Sequence, residues 1–326
     1  MYISRKRVLA TVLLALSPAM ALAQATLQIN SSLPEGSFAH TFLLEYEKQL
    51  EAAAPEKIDV EIFMSNTLGS EEDVLQGLSL GTHQASLSAS AIAQINKRAA
   101  IFDLPYLFED RAAVKLFAAS KAGDMLKAGF EGTGMMLGAM WDNGFRQITN
   151  KQRPIVVPAD LEGLKIRTPT SRQRVEMFNT LGANATPLSF GEVYSALDQG
   201  VIDGQENPAQ VVDSAKLFEV QGYMSLSNHV YLPTFLVFSE AYLASLDPEL
   251  KDTVLSVAAD VAPWTFAWGE ETDATVIKAL TEKLEVNDID FAAFQAAAAP
   301  LYESETFVDV IGADMIEETR VALGIK

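Results

Sequence analysis

The sequence contains no cysteine. A disulfide framework, a thiolate nucleophile and a cysteine-based zinc site are therefore excluded, and an oxidising compartment is permitted without being indicated. Histidine is nearly as scarce. His40, His83 and His229 stand far apart, and none belongs to an H-E-x-x-H or His-x-His arrangement, which argues against a zinc hydrolase and leaves no metal site. Positive charge is short as well: 24 basic residues face 43 acidic ones, a net charge of −19. A nucleic-acid binder needs a basic footprint, so that class is set aside. There is no Walker A loop and no G-x-S-x-G elbow. Gly132-Thr133-Gly134 begins a dinucleotide fingerprint, but Leu137 stands where its third glycine belongs, so the segment reads as a turn before a strand over 135–140. The catalytic inventory is bare, and no cofactor is implied.

What the chain does have is 326 residues, 49% of them apolar. That exceeds the roughly 250–300 residues at which single cores stop growing, so two domains are expected. Residues 1–23 have the grammar of a secretory signal peptide: basic Arg5-Lys6-Arg7, an apolar stretch from Val8 to Leu16, and Ala21-Leu22-Ala23 as a small-x-small cleavage site. The stretch is too short to span a bilayer, and no later run reaches about 18 apolar residues. The expected product is exported and periplasmic. Removing the leader makes it three charges more negative still.

Periodicity then alternates between two and 3.6. Thr26 to Asn30 reads as a strand. Ser37 caps a helical pattern carried by Phe42, Leu43, Tyr46 and Leu50 as far as Pro55, and 58–63 alternates as a second strand. Ser70-Glu71-Glu72-Asp73 opens a helix that Gly81 closes, its acids complementing the positive end of the helix dipole. Ala85 to Ser90 is a third strand. This order predicts an α/β layer with a parallel sheet. Ser189-Phe190-Gly191-Glu192 has the form of a capping box before a second unit of the same kind. From Glu249 to Leu284 a long helical tract contains one glycine, Gly269, and an internal proline, Pro263, expected to kink it. A tract of that length suggests a helix bridging two lobes.

Two arginines stand out in this acidic chain. Arg146 follows a Trp141-Asp142-Asn143-Gly144-Phe145 break. Arg167 lies at the end of a short strand, 163–169, where ligands of open α/β sheets bind. A guanidinium there can grip a carboxylate bidentately. The alternative for both is solvation or pairing with the many acids.

Trp141 to Asn150, the run Pro158 to Pro169, and Phe190 to Pro208 together resemble the solute receptors of tripartite ATP-independent periplasmic (TRAP) transporters, of the dicarboxylate- and sialate-receptor type. Leu104-Pro105-Tyr106-Leu107-Phe108 and Asn228-His229 resemble the same family. The resemblance implies a two-lobe periplasmic-binding-protein fold with hinge strands and a long helix spanning both lobes. Its expected divisions are 24–145 plus 233–272 for one lobe, and 146–232 plus 273–326 for the other. It implies a monomer that closes around a small carboxylate, either a sugar acid or a C4-dicarboxylate, and delivers it to small and large membrane subunits. It assigns the carboxylate salt bridge to Arg167, a second ligand-facing arginine to Arg146, the carboxylate-binding amide to Asn207 and the aromatic beneath the ligand to Phe190. Trp141, Asn143 and Phe145 either support a sugar-acid ring or pack the lobe. Ser32, Glu71, Ser88 and Ser90 are expected on the opposite wall. Ser32 and Ala89 stand where sialate receptors carry asparagine and glutamate, which argues against sialic acid. The competing readings are an exported sugar-acid lyase or isomerase on the same architecture, and a soluble ligand sensor of a signalling receptor.

Overall fold

The computed structural model describes residues 24–325; the leader expected at 1–23 lies outside them. Alternating segments form β1 (Ala25–Asn30), β2 (Ile58–Phe63), β3 (Ala85–Ser88) and β4 (Met135–Trp141). The next strands are β5 (Arg146–Asn150), β6 (Lys165–Thr168), β7 (Asn184–Pro187), β8 (Gly204–Pro208) and β9 (Tyr223–Leu226). The last two are β10 (Thr234–Ser239) and β11 (Glu285–Asp288). The first sheet has the order β2-β1-β3-β10-β4, and the second β11-β9-β5-β8-β6-β7. β1 runs parallel to β2 and β3, as the strand–helix–strand pattern requires, whereas β10 inserts antiparallel between β3 and β4.

The position of β10 shows the path of the chain. After β4 the backbone leaves the first sheet, builds most of the second, and returns from β9 to β10. The outgoing and returning segments pair with each other: Phe145 bridges Tyr231, and the Arg146 amide donates to the Val230 carbonyl at 3.0 Å. These two paired segments are the hinge strands. The helix Pro248–Leu280 makes a third crossing, running from its contacts with β4 to a C-terminus that leads into β11. It continues as one helix through Pro263.

Local signals act as expected in the first lobe. Ser37 caps the helix Phe38–Ala53, which buries Phe38, Phe42, Tyr46 and Leu50 on one face. Ser70 and Asp73 form a reciprocal capping box, and Gly81 ends that helix at a φ of 77°. The C-terminal segment departs from the expected division. Helix Phe291–Ala298 packs on second-lobe elements, but helices Glu305–Ile311 and Ala313–Leu323 pack against 97–103, 111–118 and 121–128 of the first lobe. Their buried Phe307, Ile311 and Met315 join a core cluster that holds Phe102 and Phe117 of the first lobe together with Met177 and Phe178 of the second.

Gly269 has a specific reason to be glycine. Arg111 grips Asp142 through two bonds of 2.9 Å and reaches Asp273 at 2.6 Å, tying a first-lobe helix, the outgoing hinge segment and the long helix together. The Asp142 carboxylate lies against the long helix where a Cβ on Gly269 would come within 1.9 Å of its Oδ2. Gly269→Ala is therefore expected to destabilise the protein by about 1–3 kcal/mol through overpacking against a buried ion pair. Urea denaturation checks this, and an unchanged midpoint would refute it.

Candidate functional site

Between the two lobes lies a cleft lined by residues of both. Its walls are the ends of strands and the loops that follow them. Ser32, Glu71 and Ser90 come from the first lobe, Asn143 from the outgoing hinge segment, and Arg167, Phe190 and Asn207 from the second. Position beyond the carboxyl ends of β1, β3 and β6 is where open α/β sheets expose backbone and side chains to a ligand. Phe190 packs against the cores of both lobes, giving the floor an apolar surface.

Arg167 is 3% exposed, and its Nε and Nη2 both donate to the Leu188 carbonyl, at 2.9 and 2.6 Å. It makes no ion pair among the described residues, unlike the other fully buried arginines, Arg146 and Arg174. Burial pulls its pKa down to about 10, against the attraction of Glu206, Glu71 and Glu72, so it stays charged at neutral pH. A buried unpaired charge carries a desolvation cost of several kcal/mol, which an arriving anion would offset.

Arg146 lines the cleft too, but its charge is already matched. Its Nε donates to Glu206 Oε2 at 2.5 Å, and its Nη2 to Asn207 Oδ1 at 2.9 Å. Arg174 shares the same carboxylate at 2.7 Å and also binds Asp103 at 2.5 Å. Two guanidiniums and two carboxylates thus form a neutral buried chain. The charges of Arg146 and Arg174 hold the Glu206 carboxyl far below the usual carboxylate range despite its burial. His229 completes the group. Burial lowers its pKa, so the neutral ring places its Nε2 proton toward Glu206 Oε2 at 3.0 Å, and Nδ1 meets Ser227 Oγ at 2.8 Å. Asp103, Arg174, Glu206 and His229 were not singled out as site residues from the sequence. The available signal was adjacency, since Glu206 precedes Asn207 and alternate strand residues face opposite sides.

Asn207 is held by this network through Oδ1 and by Gln205 Oε1 through Nδ2 at 2.6 Å, leaving one amide hydrogen for the cleft. Three expected residues lie elsewhere. Trp141 is fully buried against Phe42 and Tyr46, and its Nε1 donates to the Ala258 carbonyl at 2.9 Å, so it packs the lobe. Phe145 stacks edge-on with Tyr231 and lines a separate crevice with Tyr106 and Phe291. Ser88 is buried, with its hydroxyl on Ser86 Oγ at 2.9 Å, facing away from the cleft.

The acids at 71–73 divide their work. Asp73 alone serves the helix cap. Glu71 turns into the cleft, where Oε1 accepts the Ala89 amide at 2.5 Å. Glu72 crosses to the second lobe, accepting the Thr170 hydroxyl at 2.6 Å and the Ser189 hydroxyl at 3.2 Å. The capping box expected at Ser189 is accordingly absent, its hydroxyl having been drawn across the rim. Burial raises the Glu71 pKa to about 7, opposed by the Ala89 and Ala91 amides and Arg167.

Comparison with known proteins bears on this geometry. The family model described as bacterial extracellular solute-binding protein, family 7 (DctP) matches residues 29–307. The 2,3-diketo-L-gulonate-binding periplasmic protein YiaO of Escherichia coli is 33% identical over 91% of this chain and 92% of its own. The C4-dicarboxylate-binding periplasmic protein DctP of Rhodobacter capsulatus is 30% identical over 89% of this chain and 87% of its own. The crystal structure of the sugar acid binding protein of Advenella mimigardefordensis in complex with galactonate superposes with a TM-score of 0.88. It is 27% identical and covers 92% of this chain and 98% of its own.

Two outcomes follow for the acids. Glu206→Ala should cost about 3–5 kcal/mol by leaving two buried guanidiniums short of one counter-charge, read from denaturant unfolding; a loss below 1 kcal/mol would refute the network. Glu71 binds its proton more tightly folded than unfolded, so its contribution falls as pH rises from about 4.5 to about 7. Glu71→Gln should therefore stabilise the ligand-free protein by on the order of 1–3 kcal/mol at pH 8 and by little at pH 4.5. Thermal melts at both pH values decide it.

Proposed function

The chain belongs to bacterial extracellular solute-binding protein family 7, the DctP family of TRAP transporter receptors. From that premise we propose that it works in the periplasm as a monomer, captures an organic acid through its carboxylate on Arg167, and presents the closed complex to the membrane subunits. The observation that carries this reading is the unpaired charge of Arg167: a buried guanidinium facing the cleft with Nε and Nη2 fixed on one carbonyl and no ion pair among the described residues. The Leu188 carbonyl fixes the plane of the guanidinium. Nη1 and the outer Nη2 hydrogen remain to receive a carboxylate edge, and the spare Asn207 amide hydrogen lies in the same wall.

Closure follows from where the other contacts sit. A ligand held only by the second lobe would bind open and closed forms alike; differential affinity comes from Ser32, Glu71 and Ser90 on the first. The lobes already meet at the rim. Thr170 Oγ1 accepts from Gln94 Nε2 at 2.8 Å and donates to Glu72, so a ligand adds to an existing inter-lobe contact. The lyase or isomerase reading is not favoured, since the family consists of substrate-binding proteins.

Arg167→Ala should weaken carboxylate binding by about 100-fold or more, the loss of charge-assisted bonds contributing roughly 3 kcal/mol, with an unaltered far-ultraviolet spectrum. Arg167→Lys should lose about 10-fold or more, because a point charge cannot reproduce the fork. Titration calorimetry measures both, and unchanged affinity in the alanine variant would refute the assignment.

A further inference from the structure

The charge distribution in the cleft selects among acids, an inference that rests on Arg167 as the carboxylate anchor. Arg146 is the other cationic group in the lining, and Glu206 neutralises it. One unmatched positive charge therefore remains. On the wall belonging to the other lobe, Glu71 and Glu72 supply two carboxyl groups near enough to act on the charge of Arg167. Asn143 lines the same cleft with its Oδ1 buried, so the acceptors that face a ligand are the two carboxyl groups.

A ligand anchored at Arg167 thus meets two carboxyl groups on the wall of the other lobe. A second carboxylate would find two acids and no free cation, and would also compete with Glu72 for the hydroxyls of Thr170 and Ser189 that join the lobes. Hydroxyl groups donate to all of these acceptors without adding charge. We propose that the cleft selects polyhydroxylated monocarboxylates, aldonates or uronates, over C4-dicarboxylates, with Glu71 and Glu72 as the discriminating residues.

The test is calorimetric titration at pH 8 of the wild-type protein with D-gluconate, D-galactonate, D-glucuronate and D-galacturonate, set against succinate and L-malate. At least one of the hydroxylated acids is expected to bind about 100-fold more tightly than succinate, because a site arranged for hydroxyl groups rejects an analogue lacking them. Glu71→Gln/Glu72→Gln should reduce that ratio to less than about 10-fold by admitting succinate. Glu71→Gln alone, which keeps the Glu72 hydrogen bonds that join the lobes, should lower the ratio by about 3-fold or more, and it serves if the double variant fails to fold. Succinate binding as tightly as the best hydroxylated acid, with Arg167→Ala abolishing it, overturns the selectivity and leaves the anchor standing. Binding that survives Arg167→Ala, or no binding by any of these acids, overturns the anchor and this inference with it.

Discussion

The arrangement depends on one carboxylate, Glu206, being placed between two buried guanidiniums. Arg146 and Arg174 are both buried, and leaving either without a counter-charge would cost several kcal/mol; Glu206 and Asp103 match them one for one. That neutral chain fixes Arg146 in the cleft wall as a structural group and orients Asn207 through Oδ1. Its further consequence is to make Arg167 different. Located on the neighbouring strand β6, Arg167 shares the low-dielectric surroundings but has only a carbonyl for company. The same burial that depresses its pKa also strengthens its attraction for a carboxylate, because the charge is poorly screened.

A charged group of this kind is useful only if the cleft can shut over its ligand and open again. Besides the return of the chain to the first lobe after helix Phe291–Ala298, three crossings join the lobes, and they are held differently. The hinge strands pair with each other through backbone bonds, whereas the long helix is tied to them by Arg111, Asp142 and Asp273 with Gly269 leaving room for the ion pair. Opposite the hinge, the contacts are side-chain hydrogen bonds of Glu72 and Gln94 with Thr170 and Ser189 at the rim. Such bonds exchange for water at small net cost, about 1 kcal/mol each, so the rim contacts can part, whereas the buried Arg174–Asp103 pair holds the lobes together away from the rim. A net charge of −19 over the whole chain is no obstacle to binding an anion, since screening limits its reach to roughly 8–10 Å while Arg167 acts at contact.

The sequence made much of this legible. Strand and helix periods, the caps at Ser37 and Ser70 and the glycine stop at Gly81 correspond to the observed elements. Arg167, Asn207, Phe190, Asn143, Ser32, Glu71 and Ser90 do share one cleft. The failures have a common form. For Trp141 and Phe145 the sequence leaves ring support and lobe packing both open, and the chain turns between them, sending one indole into the core and one ring into a different crevice. Ser189 looked like a cap because its spacing to Glu192 is right; the nearby Glu72 from the other lobe is the acceptor its hydroxyl meets instead. The C-terminal helices were assigned by position in the chain, and their packing places two of them across the boundary.

What the sequence determined by itself is local or compositional. The absence of cysteine, the scarcity of histidine, the alternating periods and the Arg-bearing strand that ends at Pro169 are properties of a chain segment, and they needed no partner to be read. What only the tertiary structure decided is which charges are matched. Arg146 and Arg167 look equivalent along the chain, each a lone cation among acids. Only the fold brings Glu206 beside one and leaves the other facing the cleft, because electrostatic pairing depends on distances in space between residues tens of positions apart.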